Sequence, residues 1–206
     1  MPKDSKNSDY QTFLMKKKTF LDVTFLDALK QSTIEIMGES IASQVLTAGK
    51  GKMTAERWIQ EVGKIFHDHF GLQSARGLLV RIGRSAAGYL RRGHHAIMAL
   101  GTIEKRLSPI LNRFETDMGV LLSVISPEIG MKLTIDRSSK TDFLISINHS
   151  EISHQNAQEY PLFLLQGLFE GFGNWLDSRK DYEITILDEN ERQSGRLIKI
   201  SIKAAQ

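Results

Sequence analysis

The chain has 206 residues, 41% of them hydrophobic and 25% charged, with a formal net charge of +3 and no cysteine. This composition suits one globular domain with its own core; the missing cysteine excludes disulfides, thiolate metal sites and cysteine nucleophiles together. Neither a run of about 18 uncharged apolar residues nor an apolar secretory leader occurs, so no transmembrane segment is expected and the expected location is cytoplasmic.

Residues 1–18 hold five Lys and two Asp, which is the whole positive excess, since the remainder balances at 22 against 22. They read as a mobile basic tail, and 19–206 as a single domain. Helical spacing begins near Phe20. Phe25, Leu26, Leu29, Ile34, Met37, Ile41 and Val45 give a stripe running to about Leu46, with Gly38 as its weak point. TAGKGKMT then breaks the pattern. Its Gly49–Lys52 falls short of a phosphate loop because Leu46 stands where the first glycine belongs. Thr54 caps the next helix, which turns Trp58, Ile59, Val62, Ile65, Phe66 and Phe70 inward and ends at Gly71. His67 and His69 lie two residues apart, so on a helix they diverge and form no metal pair.

Residues 74–93, SARGLLVRIGRSAAGYLRRG, predict a slim helix. Leu78, Leu79, Ile82, Ala86, Tyr89 and Leu90 share its apolar face, and Arg81, Arg84, Arg91 and Arg92 spread over the other. Its small residues allow close packing or leave room for a ligand. Between Arg76 and Arg113 there are eight basic residues and one acidic one, Glu104. That arginine face reads as a solvated surface, a phosphate or nucleic-acid grip, or the rim of a pocket or subunit contact; nucleic acid is not the expected partner. His94 and His95 follow Gly93, and as sequence neighbours they do not readily point to one site, so no metal is expected there. A further helix spans about 95–117, kinked or divided at Pro109.

Beyond Gly119, VLLSVISPEIG leads to two alternating runs. Met131–Asp136 and Asp142–Asn148 form a hairpin, with Leu133, Ile135, Phe143, Ile145 and Ile147 on its apolar faces. HSEISHQNAQE connects it to a helix opening at Tyr160–Pro161. On this helix Leu164, Leu165, Leu168, Phe169, Phe172, Trp175 and Leu176 share one face, while Gln166, Glu170, Asn174 and Asp177 take the other, with Phe163 out of place. Gly167 and Gly171, one turn apart, are poor helix residues whose use is close approach by a backbone or a ligand. A second hairpin ends the chain: Tyr182, Ile184 and Ile186, the turn DENERQSG, then Ile198, Ile200 and Ile202. The predicted fold is α+β: N-terminal helices, then strand–strand–helix–strand–strand, a four-stranded antiparallel sheet covered by helices.

Gly38–Glu39, IGRSAAGYL at 82–90, Phe114–Gly119 and above all PLFLLQGLFEG before the last hairpin resemble the 4-vinyl-reductase-type (hydrocarbon-binding) domain family, over about residues 20–203. The plan is also similar to the TRAPP vesicle-transport subunits that share that fold. The resemblance implies an often dimeric domain that binds a small hydrophobic molecule. The cysteines common in that family are absent here, so no metal site is carried over. The plan is similar, too, to haem-based nitric-oxide sensors, but their Tyr-x-Ser-x-Arg motif fails: from Tyr160, Leu162 and Leu164 stand in the serine and arginine positions. Haem through His94 or His95 has no motif to support it, and no cofactor is expected.

The expected function is therefore a sensor or carrier enclosing a lipid-like ligand between the central helix and the Tyr160 helix. Leu79, Ile82, Tyr89, Phe163, Gly167, Leu168, Gly171, Phe172 and Trp175 would line the space, and Arg84 or His94 would meet a carboxylate. The competing reading is a structural or regulatory subunit acting through protein contacts, a homodimer among them. No nucleophile elbow, HExxH or dinucleotide fingerprint occurs, so no catalytic residues are expected. The pair Glu35 and Glu39, with no histidine near it in sequence, reads as a solvated face.

Overall fold

Two glycines decide where the helices lose their regular geometry. The computed structural model describes residues 22–48, 53–101, 109–149, 159–187 and 196–204; the basic tail, the Gly49–Lys52 connection and the charged turn of the last hairpin lie outside them. Helix α1 (Phe25–Met37) opens at Thr24, whose hydroxyl accepts from the Asp27 N–H at 3.1 Å. Gly38 then takes φ 82°, open to glycine at little cost, and α2 (Glu39–Ala48) begins. The apolar stripe expected to reach Leu46 is thus carried by two helices. Glu35 is not merely solvated: its carboxylate accepts from the Ser85 hydroxyl at 2.6 Å, joining α1 to the next helix.

That helix, α3 (Ala55–Gly93), is broken where the sequence places the break: Gly71, with φ 77° and ψ 164°, lies outside helical geometry and divides α3 into two helical stretches. A short α4 (His95–Ala99) follows. Pro109, expected to kink or divide a helix, stands at the N-cap of α5 (Ile110–Ile129), where it interrupts no hydrogen bond. Helix α5 also runs well past the expected end near Asp117, through Pro127 to a left-handed Gly130.

Strands β1 (Met131–Arg137) and β2 (Asp142–His149) precede α6 (Tyr160–Leu176); β3 (Lys180–Leu187) and β4 (Arg196–Ala204) follow it. All pairings are antiparallel and the sheet order is β1-β2-β4-β3, so the second strands of the two hairpins join. The register places Phe143 opposite Ile200 and Ile145 opposite both Ile135 and Ile198, which puts the apolar residues of every strand on one face. Phe143, Ile145, Ile198 and Ile200 are fully buried there. The fold is α+β, with helices against one face of a four-stranded antiparallel sheet. Among the described residues no helix is long and apolar enough to cross a membrane.

Helix α6 is buried on nearly every side, unlike the one-faced helix its sequence predicts. Phe163, the misplaced residue, is 5% exposed, and Gln166 is half-buried with its Nε2 donating to the Ile184 carbonyl of β3 at 3.4 Å. The reason is position: α6 packs against α3 and also against β3, so its supposed outer side meets protein.

The α3–α6 contact is made by backbone. A Cβ on Gly167 would overlap the Val80 carbonyl, and one on Gly83 would overlap the Leu164 carbonyl. On Gly171 a Cβ would lie 2.8 Å from the Arg84 oxygen and 3.1 Å from the Ala87 Cβ. Since Val80 meets Gly167 and Arg84 meets Gly171, the two helices run parallel along this seam. Gly119 of α5 is a natural control, with nothing within 4 Å of its would-be Cβ. Gly167→Ala is expected to lower unfolding stability by about 3 kcal/mol or more, and Gly119→Ala to raise it by up to about 1 kcal/mol. Urea-denaturation midpoints read both.

Candidate functional site

The seam organises the residues expected to line a ligand space. Leu79, Ile82, Phe163, Leu168 and Phe172 are buried, and Gly167 and Gly171 are themselves points of backbone contact. Glycines at three levels therefore close the interval between α3 and α6. Tyr89 and Trp175 are half-buried: the Arg92 guanidinium lies 4.8 Å over the Tyr89 ring, and Trp175 packs against Phe172 with centroids 5.5 Å apart. Arg84 is engaged outside the seam, where its Nη2 donates to both Glu170 oxygens at 2.8 Å. His94 belongs to a different setting, beyond the C-terminus of α3.

One polar group deep in the protein escaped the sequence reading. Arg113 and Asp117 form an ion pair at 2.7 Å with side chains only 12% and 3% exposed. Arg113 Nη2 also donates to the Leu176 carbonyl at 3.2 Å, satisfying an end carbonyl of α6 and tying α5 to it. Beside them the Tyr182 ring stacks on Phe114 at 5.9 Å, and its hydroxyl donates to the Asp177 carbonyl at 3.4 Å. Burial pushes the Tyr182 phenol well above its usual range. The hydrogen bond from Arg179 holds the Asp177 carboxyl below the usual carboxylate range. The available signal was Asp117 itself, a charge set into the apolar stripe Ile110, Phe114, Leu121 and Ile125 of α5.

At the α3–α4 junction, His94 has φ −95° and ψ 120°, so it leaves the helix. Its ring stacks on His95 at 5.0 Å and 17°, and His95 Nδ1 lies 2.9 Å from Asp22 Oδ1. Burial, and then the neighbouring His95, push the His94 imidazole below its usual pKa. Sequence neighbours expected not to share a site therefore do so, because the break between the helices removes their helical divergence. His67 and His69 do diverge: His67 Nδ1 is 2.8 Å from the Tyr160 hydroxyl, and His69 Nδ1 is 2.8 Å from the Ile65 carbonyl.

A helical domain whose last helix is enclosed by other helices and a four-stranded antiparallel sheet is a known architecture. No protein-family model matches the sequence, and no curated protein matches it. Among solved structures it is similar to the H-NOX domain designated Tt, at 11% identity over 90% of this chain and 95% of that one, with a TM-score of 0.57. It is similar to the unliganded Fe(II) H-NOX protein of K. algicida, at 11% identity over 88% and 96% of the two chains and a TM-score of 0.56. An oxygen-binding H-NOX domain related to soluble guanylate cyclases also matches, at 11% identity, 87% and 92% coverage and a TM-score of 0.53. At such identity the likeness is one of fold. It overturns the resemblance to the 4-vinyl-reductase-type and TRAPP families, which rested on element order and on short stretches, PLFLLQGLFEG above all, whose glycines this fold also accommodates.

Other structures of similar fold concern haem distortion. Histidine-ligated haem needs an imidazole turned into an apolar interior. Among the histidines whose side chains are described, His67, His69 and His95 are exposed, and His94 is half-buried at the α3–α4 junction, its Nδ1 buried without a hydrogen-bond partner but beside His95 and Asp22 and not in an apolar interior. The described residues do not fit that group.

The buried pair gives a direct test of what holds α5 to α6. Asp117→Ala leaves the Arg113 charge buried without its partner and is expected to cost about 3–5 kcal/mol. The double replacement Arg113→Met with Asp117→Leu removes both charges and is expected to regain most of that loss, as measured by urea denaturation.

Proposed function

We propose that this chain is a non-enzymatic sensory module that binds an apolar small molecule without histidine-ligated haem. The observation that carries this reading is an architecture shared with H-NOX domains over nearly the whole of both chains. Because backbone contacts close the seam at Gly83, Gly167 and Gly171, the ligand is received at its edge. The half-buried aromatic rings of Tyr89 and Trp175, with Phe172 beneath Trp175, are suited to it, and Arg84 supplies the polar anchor if Glu170 releases it.

Native mass spectrometry of freshly purified protein, with solvent extraction of whatever is bound, tests this directly. A discrete apolar molecule other than haem is expected, its occupancy falling several-fold in Trp175→Ala. Clean apo-protein that takes up stoichiometric hemin with a sharp Soret band would sink the proposal.

A second reading, a regulatory subunit working through protein contacts, is favoured by one feature. Phe70 and Leu72, 48% and 47% exposed, flank the Gly71 break in α3. On that reading the protein forms a homodimer that Phe70→Ser with Leu72→Ser disperses, as sedimentation equilibrium would register.

A further inference from the structure

Three side chains from two stretches, Asp22 and the neighbours His94 and His95, meet at the end of α3. The Val23 N–H donates to the Gly93 carbonyl at 3.0 Å, and the Val23 side chain lies so close to Gly93 that a Cβ there would overlap it. Opposite, the Glu128 carboxylate accepts from the Phe25 and Leu26 N–H groups at 2.8 and 3.0 Å. Held from both sides, the segment sets Asp22 beside the α3–α4 junction. One oxygen of Asp22 and one nitrogen each from His94 and His95 lie within 4.8 Å of one another.

We propose that Asp22, His94 and His95 form a site for a divalent transition metal of the zinc and cobalt class, which clamps the segment preceding α1 to the α3–α4 junction. Two imidazoles and a carboxylate are the donor set these ions favour, whereas magnesium and calcium take all-oxygen surroundings. Tetrahedral bonds of about 2.0–2.2 Å set donor atoms about 3.4 Å apart, so the Asp22–His95 pair, now at 2.9 Å, opens slightly to admit the ion and any wider spacing closes around it. The movement falls on Asp22 and His95, whose side chains are 64% and 76% exposed and free to close. The ion takes the place of the direct contact between His95 Nδ1 and Asp22 Oδ1. His94 contributes a ring whose Nδ1 is buried without a hydrogen-bond partner in the protein, and a metal bond gives that imidazole an interaction it otherwise lacks. Solvent supplies the remaining coordination positions, since two of the three ligands face water. This site does not rest on the sensory reading, and neither depends on the other.

Titrating Co2+ into the chelator-treated full chain tests the site, with visible d–d absorption and equilibrium dialysis as readouts. One Co2+ per chain, displaced by Zn2+, is expected, with paramagnetically shifted NMR signals from two imidazoles. The exposed double variant D22N/H95N should bind at least about tenfold more weakly, the lower range even for loss of an outer-sphere partner, with an unchanged circular dichroism spectrum. H67N/H69N should bind like the parent. Equal binding by D22N/H95N, loss only in H67N/H69N, shifted signals from fewer than two imidazoles, or no bound Co2+ at millimolar metal overturns the proposal.

Discussion

Direct backbone contact between α3 and α6 is the constraint on which the other layers depend. Glycine costs about 1 kcal/mol relative to alanine in a helix interior, so Gly83, Gly167 and Gly171 together sacrifice about 3 kcal/mol of helical preference. The return is van der Waals contact along the seam, each atom pair weak but the sum large. A close seam also brings α6 near enough to α3 that both its sides can be covered. The sheet then takes the opposite side, with Gln166 reaching the β3 backbone and Arg113 closing the C-terminal end. If the helices stood a side chain further apart, both polar links would have to be remade.

The hairpins were almost wholly legible in the sequence, to within a residue or two at each end. A strand with one buried face obeys a strict period of two, and a slip of one residue would send Phe143, Ile145, Ile198 and Ile200 into water. Gly167 and Gly171 were legible as points of close approach, because few other uses explain two glycines one turn apart in an apolar helix. Sequence could not say which neighbour approaches. For the same reason the burial of Phe163 and Gln166 was missed: a helix with one evident apolar face does not announce a second covering layer. Asp117 was visible as a charge in an apolar stripe, yet only its contact with Arg113 and the end of α6 gives it meaning.

Element order misled where geometry did not. Helices followed by two hairpins around a helix describe more than one family, and closely packed parallel helices call for glycine in any of them. What separates such families lies in the groups turned into the core. Among the described residues these are aliphatic and aromatic side chains, with the Arg113–Asp117 ion pair and no fully buried imidazole. A shared architecture shows the fold alone, and activity has to be read from this chain's own side chains.

The seam also limits how any signal can move through the molecule. Where backbone meets backbone there is no rotamer to change, so α3 and α6 respond as one body over Val80–Ala87 and Leu164–Gly171. Displacement is then taken up where α3 departs from helical geometry, at Gly71 and at His94, the two ends of its rigid stretch. One of these breaks lies between the exposed Phe70 and Leu72; the other carries the Asp22–His94–His95 cluster.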